Sequence, residues 1–86
     1  MKSKRTKRFR ELLKALPDAA KRQAYAAYRL FKGDPFHTSL QFKRLSQHKP
    51  LYSVRIGISY RALGMREEDD LIVCGFGLAH MLNTTS

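Results

Sequence analysis

The chain has 86 residues, with 17 Lys and Arg against 7 Asp and Glu, a formal charge of +10 when the three histidines are neutral. That length accommodates one domain, taken as residues 1–86, and excludes a multi-domain enzyme with a deep cleft; 43% hydrophobic residues, with five Phe and four Tyr, exclude a disordered basic tail. The lone cysteine, Cys74, excludes a disulfide framework and a multi-cysteine zinc site, and no run approaches the roughly 20 apolar residues of a membrane span, so a cytoplasmic protein without membrane contact is expected.

Residues 2–8, Lys-Ser-Lys-Arg-Thr-Lys-Arg, form either a basic arm or a short edge strand, since lysines blunt sheet edges. From Phe9 the residues Phe9, Leu12, Leu13 and Leu16 recur at i, i+3, i+4, i+7, the stripe of an amphipathic helix over 9–16 that Pro17 ends. Asp18 is placed to cap a second helix over 19–32, whose Ala20, Ala24, Ala27, Tyr28 and Phe31 share one face. Gly33 is read as its left-handed terminus, and Asp34-Pro35 prevents continuation. Residues 36–50 read as a partly extended loop. Strands follow near 51–57, 59–65 and 71–77, where Tyr52, Val54 and Ile56 alternate with polar residues and Leu71–Phe76 is almost continuously apolar. The polar residues 66–70 form the second turn, and residues 81–86 a tail. Leu13, Ala24, Val54, Ile56, Ala62 and Cys74 are the expected core.

Strand register carries the sharpest reading. A three-residue turn at 57–59 sets Ile56 against Tyr60 and Val54 against Ala62, an apolar face throughout, whereas a two-residue turn would set Val54 against Arg61. In the favoured register Arg55 lies opposite Arg61. Two like charges facing each other across a strand pair are unfavourable unless an anion joins them or both splay into water. Extending the pattern through a Met65–Leu71 pair sets Ala62 against Cys74, Tyr60 against Phe76 and Arg61 against Gly75, where the missing side chain either admits a ligand or marks a bulge. Cys74 is then buried and inert.

The charge is lopsided. Residues 1–66 hold all 17 basic side chains and only Glu11, Asp18 and Asp34, while residues 67–86 hold four acids and no base. So basic a small domain attracts polyanions, and nucleic acid is the expected partner. His80, past the last strand, can titrate near neutrality and serve proton transfer. His37 and His48 fall in the irregular loop at a spacing that matches no metal motif, so neither a metal nor a cofactor is expected.

Phe9-Arg10-Glu11-Leu12-Leu13-Lys14-Ala15-Leu16-Pro17, then Asp34-Pro35, Phe42-Lys43-Arg44-Leu45 and Tyr52-Ser53-Val54-Arg55-Ile56-Gly57-Ile58-Ser59-Tyr60-Arg61, in this order, resemble the RelE/ParE toxin superfamily. The resemblance covers about residues 6–80 and implies an α+β fold of β-α-α-β-β-β order, a two-helix hairpin packed on one face of a small antiparallel sheet whose other face is a basic groove. It also implies a toxin held by a cognate acidic antitoxin, and a ribosome-dependent, metal-independent messenger RNA endonuclease with ribosome and message as further partners. The alternatives are a ParE-like inhibitor of DNA gyrase or an RNA-binding homologue without turnover. Under the first reading Arg55, Arg61 and His80 are the implied catalytic residues, and Lys43, Arg44, Arg55 and Arg61 hold nucleic acid.

Overall fold

The computed structural model describes residues 1–78, and it opens on an edge strand in place of a free arm. This strand, β1 (Lys2–Arg5), pairs in parallel with the last one, Lys2 against Asp70 through Arg5 against Val73. Thr6 then turns the chain: its backbone N–H donates to the Val73 carbonyl at 3.1 Å, while its hydroxyl oxygen accepts the Phe9 N–H at 3.1 Å and caps α1 (Lys7–Ala15). That cap, worth about 1 kcal/mol, is why the helix starts two residues before the apolar stripe. Pro17 separates α1 from α2 (Asp18–Gly33). Asp18 opens α2 and makes no side-chain cap bond, and Gly33 stays within the helix instead of adopting the left-handed conformation.

The expected loop contains a short 3₁₀ turn, Thr38–Leu40, and a two-residue strand, β2 (Lys43–Arg44). The meander follows as β3 (Leu51–Ile56), β4 (Tyr60–Glu67) and β5 (Asp70–Leu78). One five-stranded sheet results, in the order β1-β5-β4-β3-β2. It is antiparallel from β2 to β5, and the parallel edge strand β1 makes it mixed, which keeps the expected α+β arrangement of a two-helix hairpin on one sheet face.

Both helices cover one sheet face. Phe9, Leu13, Ala24 and Phe31 from the helices meet Leu40, Val54, Ile56, Ala62, Leu71 and Val73 in a single core. Each large aliphatic or aromatic residue buried there contributes roughly 1.5–3 kcal/mol. The Phe9 ring stacks on Phe76 with centroids 4.6 Å apart, fixing α1 over β5.

The β3–β4 hairpin has the register read from alternation, with Val54 opposite Ala62, Arg55 opposite Arg61, Ile56 opposite Tyr60, and a turn at 57–59. Gly57 sits there at φ +62°, which residues bearing a Cβ rarely adopt, and any Cβ would lie 2.3 Å from the Gln23 amide oxygen of α2. The β4–β5 hairpin departs from its expected register. Its turn is shorter, with Glu67 pairing Asp70 and Glu68 at φ 54°, and a bulge falls between Leu63 and Gly64. Ala62 therefore faces Phe76, Tyr60 faces Leu78, and Arg61 faces Gly77. Cys74 is the extra residue at the bulge and is half-buried instead of core, its thiol directed to the Leu63 carbonyl. The bulge has a packing cause: alternation puts Leu71 and Val73 on the helix face, and without one absorbed residue Phe76 would turn away from Phe9.

Candidate nucleic-acid interface

Strand alternation sorts the sequence-selected cations onto two faces. Arg55 and Arg61 project from the face opposite the helices, because their neighbours Val54, Ile56 and Ala62 are core. Lys43 pairs with Ser53 and shares that open face, whereas Arg44 pairs with Tyr52 and lies on the helix side. The four residues expected to hold nucleic acid thus divide three to one. His80 lies outside the described residues. His37 precedes the 3₁₀ turn, its Nδ1 accepting the Ser39 N–H at 3.2 Å, and His48 is exposed in the loop after β2.

The two opposed arginines have different surroundings. Arg61 has no exposed surface. Its Nε donates to the Ser53 hydroxyl at 2.8 Å, one terminal nitrogen donates to the Gln41 side-chain oxygen at 3.1 Å, and the other donates to the Gln41 backbone carbonyl. Gln41 presents those acceptors from a left-handed conformation, φ 44° and ψ 48°, between the 3₁₀ turn and β2. Burial, reinforced by the like charge of Arg55, holds the Arg61 guanidinium below its usual range of proton affinity. Its ligands are neutral oxygens; no carboxylate forms an ion pair with it among the described residues. Arg61 therefore clamps the segment leading into β2 onto the sheet and keeps a positive charge beneath the open face.

Arg55 is only half-buried. Among the described residues its one hydrogen bond runs from Nε to the Gly57 carbonyl at 2.8 Å, which folds the side chain toward the turn and leaves both terminal nitrogens for a ligand. Beside β4, Gly75 pairs with Leu63 on the open face, and a Cβ built on it would meet nothing within 4 Å. The sheet surface there is bare. An anion approaching it meets Arg55 directly and Arg61 only as a field from below. Among the described residues no cluster of three or more His, Cys, Asp or Glu side chains forms, and no helix is long and apolar enough to cross a membrane.

Gln41 and Ser53 are the two residues of this site that sequence reading misses. Ser53 leaves a faint signal, a small hydroxyl on the same strand face as Arg55 and diagonal to Arg61. Gln41 leaves none, because its backbone conformation follows from tertiary packing.

Comparison with known proteins agrees with this architecture. The fold is similar to RelE in the archaeal RelE–RelB complex from Pyrococcus horikoshii OT3, with 18% identity, a TM-score of 0.69 and coverage of 90% of this chain and 92% of that one. It is also similar to a chain of the RelB–RelE antitoxin–toxin complex from Methanococcus jannaschii, with 16% identity, a TM-score of 0.71 and coverage of 94% and 95%. The YoeB/ParE toxin from Agrobacterium tumefaciens aligns at 19% identity and a TM-score of 0.68, covering 91% of this chain and 98% of its own. No curated protein sequence matches significantly. The family model of the ParE-like toxin domain matches residues 18–76, from the start of α2 to the Phe76 that stacks on α1, and on that match over more than half its length the chain belongs to the ParE-like toxin domain family within the RelE/ParE superfamily.

Proposed function

We propose that this protein is the toxin of a type II toxin–antitoxin pair and that it cuts messenger RNA on the ribosome without a metal ion or cofactor. The observation that carries the reading is the open sheet face on which Arg55 keeps both terminal guanidinium nitrogens clear of protein partners among the described residues. It lies in a stretch, residues 35–66, that holds six Lys and Arg and no Asp or Glu. Family membership supports the toxin role, as does likeness of fold to RelE and YoeB/ParE. Two of the similar structures were solved as RelB–RelE complexes, which supports a cognate antitoxin as partner here. An acidic segment of that antitoxin complements the +10 charge and competes with RNA for the face.

RNA cleavage by its own 2′-hydroxyl requires removal of that proton, stabilisation of the extra negative charge as oxygen attacks phosphorus, and protonation of the departing 5′ oxygen. In this reading the terminal nitrogens of Arg55 donate to the non-bridging phosphate oxygens, and Lys43 on the same face adds positive charge. Arg61 contributes a fixed charge from beneath while its own N–H groups stay on Ser53 and Gln41. His80 carries the proton between the two sugar oxygens. Arg44, on the other face, meets a different part of the strand.

The burial of Arg61 favours one second reading, a ParE-like inhibitor of DNA gyrase, which requires no proton-transfer groups. Purified full-length chain added to a translation extract, followed by mapping of message ends, separates them. Ribosome-dependent cuts that disappear with Arg55→Ala are the expected result. Intact message together with trapped DNA–gyrase complexes would establish the second reading, and neither product would leave an RNA-binding homologue without turnover.

A further inference from the structure

Phe36 is 66% exposed, more than any other phenylalanine in the described residues. It does not stand alone. Its ring centroid lies 5.7 Å from that of Phe42, Phe42 lies 5.0 Å from Tyr52, and the Arg66 guanidinium sits 5.6 Å above the Tyr52 ring. The row runs from the residues before β2, across β3, to β4 on the helix-side face. Phe42 is held from beneath by an edge contact with buried Phe31 at 5.5 Å, so the inner end of the row is fixed by the core. Arg44, exposed and directly opposite Tyr52, shares this face, and its Nε is oriented by the Ser46 carbonyl at 2.7 Å.

The core explains Phe42 and Tyr52 but not the exposed Phe36. A second copy of this chain is a poor occupant, because self-association would bring two acid-free stretches of six cations together. A polyanion without bases would use the arginines and ignore the rings. Single-stranded RNA uses both, since bases stack on aromatic faces with little regard to sequence while phosphates pair with guanidiniums.

The geometry points to a second RNA-binding surface, in which a base of a single-stranded segment stacks on the exposed Phe36 ring and the segment's phosphates meet Arg44 and the Arg66 held over Tyr52. The surface lies across the sheet from Arg55 and Lys43, so it holds RNA away from the face assigned to cleavage. It rests on the proposed RNA reading for the identity of the strand, and it adds an exosite to that reading.

The test is a titration of the full chain into a fluorescently labelled single-stranded oligouridylate of about 12 nucleotides, followed by anisotropy at several salt concentrations. Phe36→Ala is expected to weaken binding by at least about five-fold, with Phe36→Trp at or above the parent affinity, since stacking and not the particular ring is at stake. Arg44→Ala should weaken binding and reduce the magnitude of the salt slope by about one. Circular dichroism and a urea midpoint confirm that each variant is folded. If Phe36→Ala stays within about two-fold of the parent while Arg55→Ala binds weakly, the exosite is refuted and the groove reading stands. If Phe36→Ala binds weakly and Arg55→Ala is unchanged, the exosite stands and the groove reading fails. Loss of a co-expressed acidic partner from Phe36→Ala, with RNA affinity unchanged, would make the row a protein-docking surface and overturn the inference.

Discussion

Arg55 and Arg61 face each other in one register pair, yet the two ends of that pair have become different places. At the Arg61 end the segment around Gln41 closes over the guanidinium, whose nitrogens donate to oxygens of Ser53 and Gln41; at the Arg55 end the side chain lies against a turn and keeps most of its donors available. Two like charges can coexist across a strand pair when one is committed to the fold and the other keeps its terminal nitrogens toward the open face. The cost appears in Arg61, whose proton affinity is lowered first by burial and then by its neighbour. Identity and face alone therefore do not make a basic residue a ligand-binding one.

That contrast can be broken by substitution. Arg61→Ala should produce the largest loss, about 3 kcal/mol in urea unfolding, because it empties a buried site, strands the buried Ser53 hydroxyl and releases the Gln41 segment from the sheet. A loss no larger than that of Arg55→Ala would remove the distinction between the two. Ser53→Ala, which leaves the Arg61 Nε without its acceptor, is expected to cost about 1–2 kcal/mol by the same measurement. Gly57→Ala should cost about 1–2 kcal/mol from the positive φ and the approach to Gln23, and pairing it with Gln23→Ala should recover the steric part only. Gln41→Gly relieves the left-handed strain and keeps the carbonyl while losing the side-chain oxygen, so a change within about 1 kcal/mol is expected. Arg55→Ala should leave the unfolding midpoint nearly unchanged, within about 0.5 kcal/mol, because it gives up one bond at a half-exposed site and relieves Arg61 of a like charge.

The first hairpin was legible because Val54, Ile56 and Ala62 alternate without interruption and Gly57 marks the turn. The helix hairpin was legible for the same kind of reason, a stripe from Phe9 to Leu16 and a proline at 17. The second hairpin was obscured by four consecutive acids, which suggest a wide turn and give no glycine signal for the left-handed Glu68. An apolar run from Leu71 to Cys74 also cannot reveal which residue a bulge will absorb, since every choice leaves apolar side chains on both faces. At the site, alternation located Arg55, Arg61 and their shared face correctly. The burial of Arg61 was illegible because it depends on a segment 20 positions earlier folding back over β4. The same blindness hid the Phe36–Phe42–Tyr52–Arg66 row, whose members are far apart in sequence and meet only when β2 joins the sheet.

The parallel pairing of β1 with β5 sets a condition on the order of assembly during synthesis. Lys2 meets Asp70, and Arg5 meets Val73, so the first strand has no partner until β5 has been made. Loop closure of this length is entropically costly and slow compared with the neighbouring hairpins. The helices and the β3–β4 pair can form before β5 is made, but the Thr6–Val73 bond that anchors the start of α1 cannot. Completion of the sheet therefore waits on β5, and until that strand is made the chain is an unfinished sheet.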